Sequence, residues 1–164
     1  MSMFSDKIIT LASDVLNLCR QKNLHIATAE SCTGGLIIGA LTEIAGSSDV
    51  VDRGFITYTN RAKMEMLNVE ANTLKIDGAV SPEVAIAMVT GAIKNSSSNI
   101  AVSVTGIAGP GGGSPHKPVG LVHMAAIKRD GKAIHQKHNF GDIGRDKVRE
   151  ATIVAALNLL KQVI

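Results

Sequence analysis

Leu24-His-Ile-Ala-Thr-Ala-Glu-Ser-Cys-Thr-Gly-Gly-Leu-Ile-Ile-Gly-Ala-Leu41 decides the fold, because it reads as strand, turn and helix in immediate succession. Leu24 to Ala29 is a short apolar strand, Ser31-Cys-Thr-Gly-Gly35 a tight turn, and the apolar residues beyond it a helix running to about Ile44. Upstream, Phe4, Ile8, Leu11, Val15 and Leu18 recur at helical spacing and predict an opening helix over 4–22, with Cys19 beside its buried face. Downstream, the β-branched and aromatic run Val50 to Tyr58 predicts a strand, and Asn60 to Leu67 a short helix capped by Thr59 or Asn60. Ser81-Pro-Glu83 is a helix start with Ser at the cap, Pro in the first position and an acid facing the dipole, so a helix follows to about Lys94.

Ile100 to Val104 is apolar throughout except Ser103, as a doubly buried strand should be, and it enters the glycine loop Thr105 to Gly113. Val119 to Lys128 and Ala133 to Asn139 flank Arg129-Asp-Gly-Lys132, the signature of a hairpin. Val148, Ala151, Ala155 and Leu159 mark a closing helix from about Arg145. Alternating helices and strands with one hairpin predict an α/β fold in which residues 1–164 form a single three-layer sandwich, a mixed sheet with helices on both faces. Ligands in such sheets collect at the carboxyl ends of strands, here the loops 30–35, 58–63 and 105–118.

Composition narrows the function classes. The chain has 164 residues, of which 45% are apolar but only 2% aromatic, so its core must be built from Ala, Val, Ile, Leu and Met. No apolar run approaches the ~20 residues that span a bilayer, and the acidic Asp6 near the start argues against an export signal. A soluble, cytoplasmic chain is expected, with no membrane partner. Two cysteines, Cys19 and Cys32, are too few for a disulfide framework and are expected as free thiols. A net charge of +3 with scattered basic residues, one Tyr and three Phe leaves neither a basic stripe nor a stacking platform, so nucleic acid is not an expected partner.

Ser31 lies where strand gives way to helix, and Gly34 and Gly35 would leave the backbone amides of that turn open to an oxyanion, a setting that suits a nucleophile. On spacing alone, a serine or Thr33 there serves as a helix cap just as well. A hydroxyl nucleophile needs a base. The five histidines offer none: His135 and His138 fall on opposite faces of one strand, and His25, His116 and His123 have no partner at familiar spacing. Lys63 follows a buried-looking strand, where desolvation could lower its pKa and leave it neutral, although a surface lysine is the plainer reading. Cys32 competes as nucleophile through the low thiolate pKa of a helix start, but a neighbour of Ser31 points away from it. No His-Glu-x-x-His or Cys-x-x-Cys spacing supports a metal site. The loop Gly109-Pro-Gly111-Gly112-Gly113, with Lys117 beyond it, has the composition of a phosphate cradle or a flap, and Arg145 at a helix start suits a phosphate as well as it suits solvent.

Taken together, Thr28-Ala-Glu-Ser-Cys-Thr-Gly-Gly35, Gly54-Phe-Ile-Thr-Tyr-Thr-Asn-Arg-Ala-Lys63, Gly78-Ala-Val-Ser81 and Val104-Thr-Gly-Ile-Ala-Gly-Pro-Gly-Gly112 resemble the CinA C-terminal domain family. The resemblance runs nearly from the first helix to the last. It implies an amidohydrolase that deamidates nicotinamide mononucleotide to nicotinic acid mononucleotide and ammonia without a cofactor. By motif position it assigns Ser31 as nucleophile and Lys63 as base, places Tyr58 to orient Lys63 or the leaving group, and puts Ser48, Thr105 and Arg145 at the substrate. It implies a homodimer and, since there is no room here for the second domain many relatives carry, a stand-alone form. The rival readings are a non-catalytic nucleotide-binding module linked to competence or DNA damage, and a Cys32 hydrolase.

Overall fold

The computed structural model describes residues 2–164. Five strands form one sheet in the order β2-β1-β3-β4-β5: β1 Ile26–Glu30, β2 Val51–Ile56, β3 Ile100–Gly106, β4 Leu121–Lys128 and β5 Ile134–Asn139. β1 runs parallel to both β2 and β3, while β4 and β5 add on antiparallel as the hairpin. Asp130 takes a positive φ of 65° at the hairpin tip, where Asp-Gly tolerates the left-handed region. The sheet is thus mixed, and helices cover both faces, as the sequence predicts.

α1 Asp6–Gln21, α2 Leu36–Thr42 and α6 Arg145–Lys161 lie over one face, where Ile8, Leu16, Ile37 and Leu157 join Ile26, Val102 and Met124 in a core without exposure above 1%. α3 Asn60–Leu67, α4 Ala71–Asp77 and α5 Pro82–Lys94 cover the other, packing Leu67, Met88 and Val89 on Ala27, Ala101 and Ala125. Small residues on that side let α5 sit close to β1, β3 and β4. The crossover from β1 to β2 uses α2 on the first face; that from β2 back across β1 to β3 uses α3, α4 and α5 on the second. Reversing direction and face together keeps both crossovers of one hand, as parallel units require. The short α4 is not predicted from the sequence: seven residues with one buried side chain, Leu74, carry too little periodicity to separate from a loop.

Two caps set the position of α3. Thr59 Oγ1 accepts from the Ala62 amide at its start. At its end Asn68 is left-handed (φ 57°), and Asn95 at the end of α5 donates to Met66 O and Asn68 Oδ1, both at 2.8 Å. Gly91 on α5 lets the Leu67 backbone press directly against it, and a Cβ there would fall 2.9 Å from Leu67 Cα and closer still to its carbonyl. Gly91→Ala is therefore expected to destabilise by ~1–3 kcal/mol through overpacking, outweighing the ~1 kcal/mol that alanine contributes to a helix. A thermal melt checks the sign, and a higher Tm in the variant would show that α3 can move away freely.

Candidate active site

The carboxyl ends of β1, β2 and β3 open on a pocket of about 200 Å3 lined by Ser31, Cys32, Tyr58, Asn60, Lys63, Thr105 and Arg145 with Ala79, Val80 and Ala108. Three expected loops thus meet in one place. Ser31 continues β1 by one residue, its amide donating to Val104 O at 3.1 Å, and its side chain is 8% exposed. Lys63, in the first turn of α3, is buried at 1% exposure, with Nζ 3.0 Å from Ser31 Oγ and donating to Thr57 O at 3.0 Å and, more weakly, to Tyr58 O at 3.5 Å.

No carboxylate lies within ion-pairing distance of Lys63 among the described residues. Burial therefore holds the amine below the ordinary lysine value, partly opposed by the nearby Cys32. A neutral amine has two N–H donors and one lone pair. With the donors spent on the two carbonyls, the lone pair is left for the Ser31 hydroxyl, which is the geometry of a base.

Behind the turn stands Glu30, fully buried at the last position of β1. Its Oε1 accepts from Thr28 Oγ1 and the Ile38 amide, and its Oε2 from Thr33 Oγ1 at 2.6 Å and the Gly35 and Ile37 amides. The Gly34 amide donates to Ser31 O. Gly34 and Gly35 both have positive φ, 59° and 98°, so their role is conformational, and the amides of the turn that remain without an acceptor among the described residues are those of Cys32 and Thr33. This narrows the expected oxyanion site from the whole turn to two amides. Thr33 is fully buried with its hydroxyl on Glu30, so its side chain faces away from any substrate.

Other expectations are corrected by the geometry. The Tyr58 side chain is 58% exposed and its hydroxyl accepts from Arg145 at 2.9 Å, so it is the Tyr58 carbonyl, not the phenol, that touches Lys63. Ser48 is exposed on a 3-10 turn, Ser47–Asp49, before β2 and so at the opposite end of the sheet; it does not belong to this pocket. Gly111 and Gly112 line a separate open cleft of about 660 Å3 beside Pro118 and Asp142, whereas Gly109 reaches the site through its carbonyl, which accepts from Arg145 at 2.9 Å. Lys117 donates to Asp77 O at 2.7 Å and braces the loop against α4. Thr105 lines the pocket with its hydroxyl donating to Ala79 O at 2.7 Å, holding the far wall in place.

Cys32 lines the pocket but is buried, and burial above all, with a smaller push from the Glu30 charge, raises its thiol to about 12. The helix-start expectation of a low thiolate pKa therefore fails, since Glu30 already occupies the donors of α2. Cys19 and Cys32 are both free. His123 is not solitary: its Nδ1 lies 2.9 Å from His135 Nε2, diagonally across β4 and β5, where burial pushes it down to about 4. Sequence reasoning missed Glu30, although α2 opens on Gly35 with no side-chain cap, a sign that another group must satisfy its first amides. It also missed Arg149, one turn beyond Arg145 on the same face of α6, whose guanidinium donates to Thr33 O at 3.0 Å.

An open mixed α/β sheet with a buried serine–lysine pair at the carboxyl ends of its parallel strands defines the class. The chain belongs to the CinA C-terminal domain family, whose model matches residues 8–164. It is similar to the solved competence/damage inducible protein CihA of Agrobacterium tumefaciens, at 55% identity and a TM-score of 0.97 over 99% of this chain and 98% of that one. A CinA superfamily protein of Escherichia coli is 32% identical with a TM-score of 0.91, covering 99% and 95%. A CinA-like protein of Synechococcus sp. (strain RCC307) is 50% identical over 153 residues, 93% of this chain and 36% of that protein. The chain thus spans about a third of the length of the curated relatives it matches. Among the described residues no helix is long and apolar enough to cross a membrane.

Lys63→Met keeps the buried stem and discards the amine, so at pH 7 it is expected to melt above wild type, while Lys63→Ala opens a cavity and loses ~2–4 kcal/mol. The wild-type penalty shrinks with pH: a lysine whose folded pKa is depressed binds its proton more tightly when unfolded, so wild-type stability rises as pH climbs from the folded pKa to the ordinary one. Melts of the three proteins from pH 6 to 11 test this, and a gap to Lys63→Met that widens with pH contradicts it. The protonated Cys32 is expected to resist iodoacetamide at pH 7, checked by mass spectrometry of the alkylated protein.

Proposed function

We propose that this chain is an amidohydrolase that converts nicotinamide mononucleotide and water to nicotinic acid mononucleotide and ammonia, acting in the cytoplasm as a homodimer without metal or organic cofactor. The observation that carries the reading is the 3.0 Å approach of an uncompensated, buried Lys63 amine to the Ser31 hydroxyl. The family resemblance supplies the substrate, and the pocket is compatible with it: Ala79, Val80 and Ala108 offer apolar walls for a flat ring, with Ser31 at the bottom.

Neutral Lys63 takes the Ser31 proton as Oγ attacks the carboxamide carbon, and the oxygen gaining charge is received by the Cys32 and Thr33 amides. Collapse breaks the C–N bond, and the Lys63 ammonium gives its proton to the departing nitrogen, which leaves as ammonia. Water enters, loses a proton to Lys63 and attacks the acyl-serine, and the proton returns to Oγ as the nicotinate is released. Arg145 bonds only neutral acceptors, Gly109 O and Tyr58 Oη, so its charge is free to meet a phosphate at the mouth and contribute remote binding energy.

The names of the relatives mention competence and damage but no reaction, and the rival reading is a nucleotide-binding module without turnover. Ammonia release from nicotinamide mononucleotide separates the two. Ser31→Ala and Lys63→Ala are each expected to lower kcat by ~10²–10⁴, and the double variant to fall no further than the worse single one, because the pair works as a unit. The rate should rise with pH as Lys63 loses its proton, with a midpoint below the ~10.4 of a free lysine. A double variant far worse than either single one, or an unchanged Ser31→Ala, sinks the dyad.

Arg145→Ala is expected to cost ~10- to 100-fold in kcat/KM on the mononucleotide and little on nicotinamide riboside, which lacks the phosphate. If the ratio of the two specificity constants is the same in wild type and variant, the phosphate sits elsewhere.

A further inference from the structure

Glu30 has no part in the proton transfers, yet it is the one carboxylate buried within a residue of the nucleophile. Among the described residues it forms no ion pair. Its five donors come from three places: Thr28 on β1, Thr33 in the turn, and the Gly35, Ile37 and Ile38 amides that open α2. Its own backbone carbonyl accepts from the Thr57 amide at 2.8 Å, and the Thr57 carbonyl is the one that receives Lys63 Nζ. One residue therefore ties the turn that bears Ser31, the helix after it and the strand end that orients Lys63.

We propose that Glu30 is a positioning residue of the catalytic site: by occupying the α2 amides and the Thr33 hydroxyl, its carboxylate fixes the Ser31–Gly35 turn so that only the Cys32 and Thr33 amides remain to receive an oxyanion. This deepens, and rests on, the reading of Ser31 as an acyl-forming nucleophile. Two features make the role specific. First, α2 begins on Gly35 with φ 98° and no side-chain cap; the turn's own backbone bonds, Gly34 N–H to Ser31 O and Leu36 N–H to Thr33 O, leave the Gly35, Ile37 and Ile38 amides to Glu30. Secondly, the donors divide between both oxygens, Oε1 taking Ile38 and Oε2 taking Gly35 and Ile37. A glutamine cannot replace such a group, because whichever way its amide is turned an NH2 meets a backbone N–H that cannot rotate away.

The experiment uses p-nitrophenyl acetate, whose attack by Ser31 Oγ gives acetyl-Ser31 and p-nitrophenolate, the hydroxyl proton passing to Lys63. Burst amplitude counts competent sites and burst rate reports the chemistry at each, with mass spectrometry locating the acetyl group. Glu30→Gln is expected to lower the burst rate per competent site by roughly 100-fold, the effect of misplacing an oxyanion donor by about 1 Å, while the pH midpoint set by Lys63 stays in place. A merely structural role would lower the amplitude and leave the rate per site unchanged, and that result overturns the proposal. Should Glu30→Gln not fold, Thr33→Val decides: it keeps the shape of the buried side chain, removes the 2.6 Å donor, and is expected to slow each site by roughly tenfold. A wild-type rate per site in Thr33→Val overturns the proposal. Wild type that forms no acetyl-Ser31 removes the nucleophile reading and this proposal together, whereas wild-type acylation with an unaffected Glu30→Gln removes this proposal alone.

Discussion

A carboxylate without a counter-ion, buried at the end of the central parallel strand, is the interaction on which the geometry of this protein turns. An isolated charge in such a place costs many kcal/mol unless its lone pairs are filled, and Glu30 fills them with three backbone amides and two hydroxyls. The reverse holds for α2. A helix of seven residues that opens on glycine has unsatisfied donors and little intrinsic stability, so it exists because the strand before it supplies its acceptor. Strand end, turn and helix are consequently one rigid piece. Ser31 rides on that piece, which explains how a serine just ahead of two glycines of positive φ, Gly34 and Gly35, can keep a fixed direction.

Lys63 shows the opposite economy. Its stem is packed like a core residue, but its head has only carbonyl and hydroxyl partners, and the fully buried hydroxyl of Thr57, whose carbonyl Lys63 bonds, finds no partner among the described residues. Buried polar groups left short of partners lower stability, and proteins tolerate them where chemistry requires them. Burial lowers the amine's pKa, and among the described residues no carboxylate forms an ion pair with Lys63 to reverse it. An ion pair would restore the ammonium and remove the lone pair that a base needs. Glu30 adjoins Ser31 in sequence, yet its carboxylate is satisfied entirely from the β1–α2 side. Its charge falls instead on Cys32, adding to the desolvation that keeps the thiol protonated.

The parts of this arrangement that were legible in the sequence are those with a local cause. The strand–turn–helix of residues 24–44, the Ser81-Pro cap, the Asp-Gly hairpin and the doubly buried Ile100 strand each follow from period or turn chemistry within a few residues, and the observed elements agree to within a residue or two. Ser31 and Lys63 were legible as chemical types but not as partners, since nothing local says that positions 32 residues apart come within 3.0 Å. The family resemblance supplied that pairing. What stayed illegible depends on direction: Thr33 turns inward, the Tyr58 ring turns out to Arg145, and Ser48 ends at the wrong end of its strand. Glu30 was hidden for another reason. A single acid closing an apolar strand reads as the strand's solvent end, and only the missing cap of α2 reveals that it faces the interior.

The topology explains why so few residues suffice. β1 lies between β2 and β3, and the two crossovers leave it on opposite faces, so the turn after β1 and the start of α3 after β2 approach one another across the carboxyl edge of the sheet. Ser31 arrives with the first crossover and Lys63 with the second. α6 returns along the first face and brings Arg145 and Arg149 to the same edge, one to the mouth and one to the back of the Ser31 turn. Arg149 donates to the carbonyl of Thr33 from outside while Glu30 accepts from its hydroxyl inside, so Thr33, with its amide unpaired among the described residues, is clamped from both sides. With the Lys63 amine held below the ordinary lysine value by burial and Glu30 walled off, Arg145 is, among the described residues lining the pocket, the charged side chain at its rim. Under the proposed reading, a substrate with an uncharged reacting amide and an anionic tail would enter reacting end inward, its tail held at Arg145.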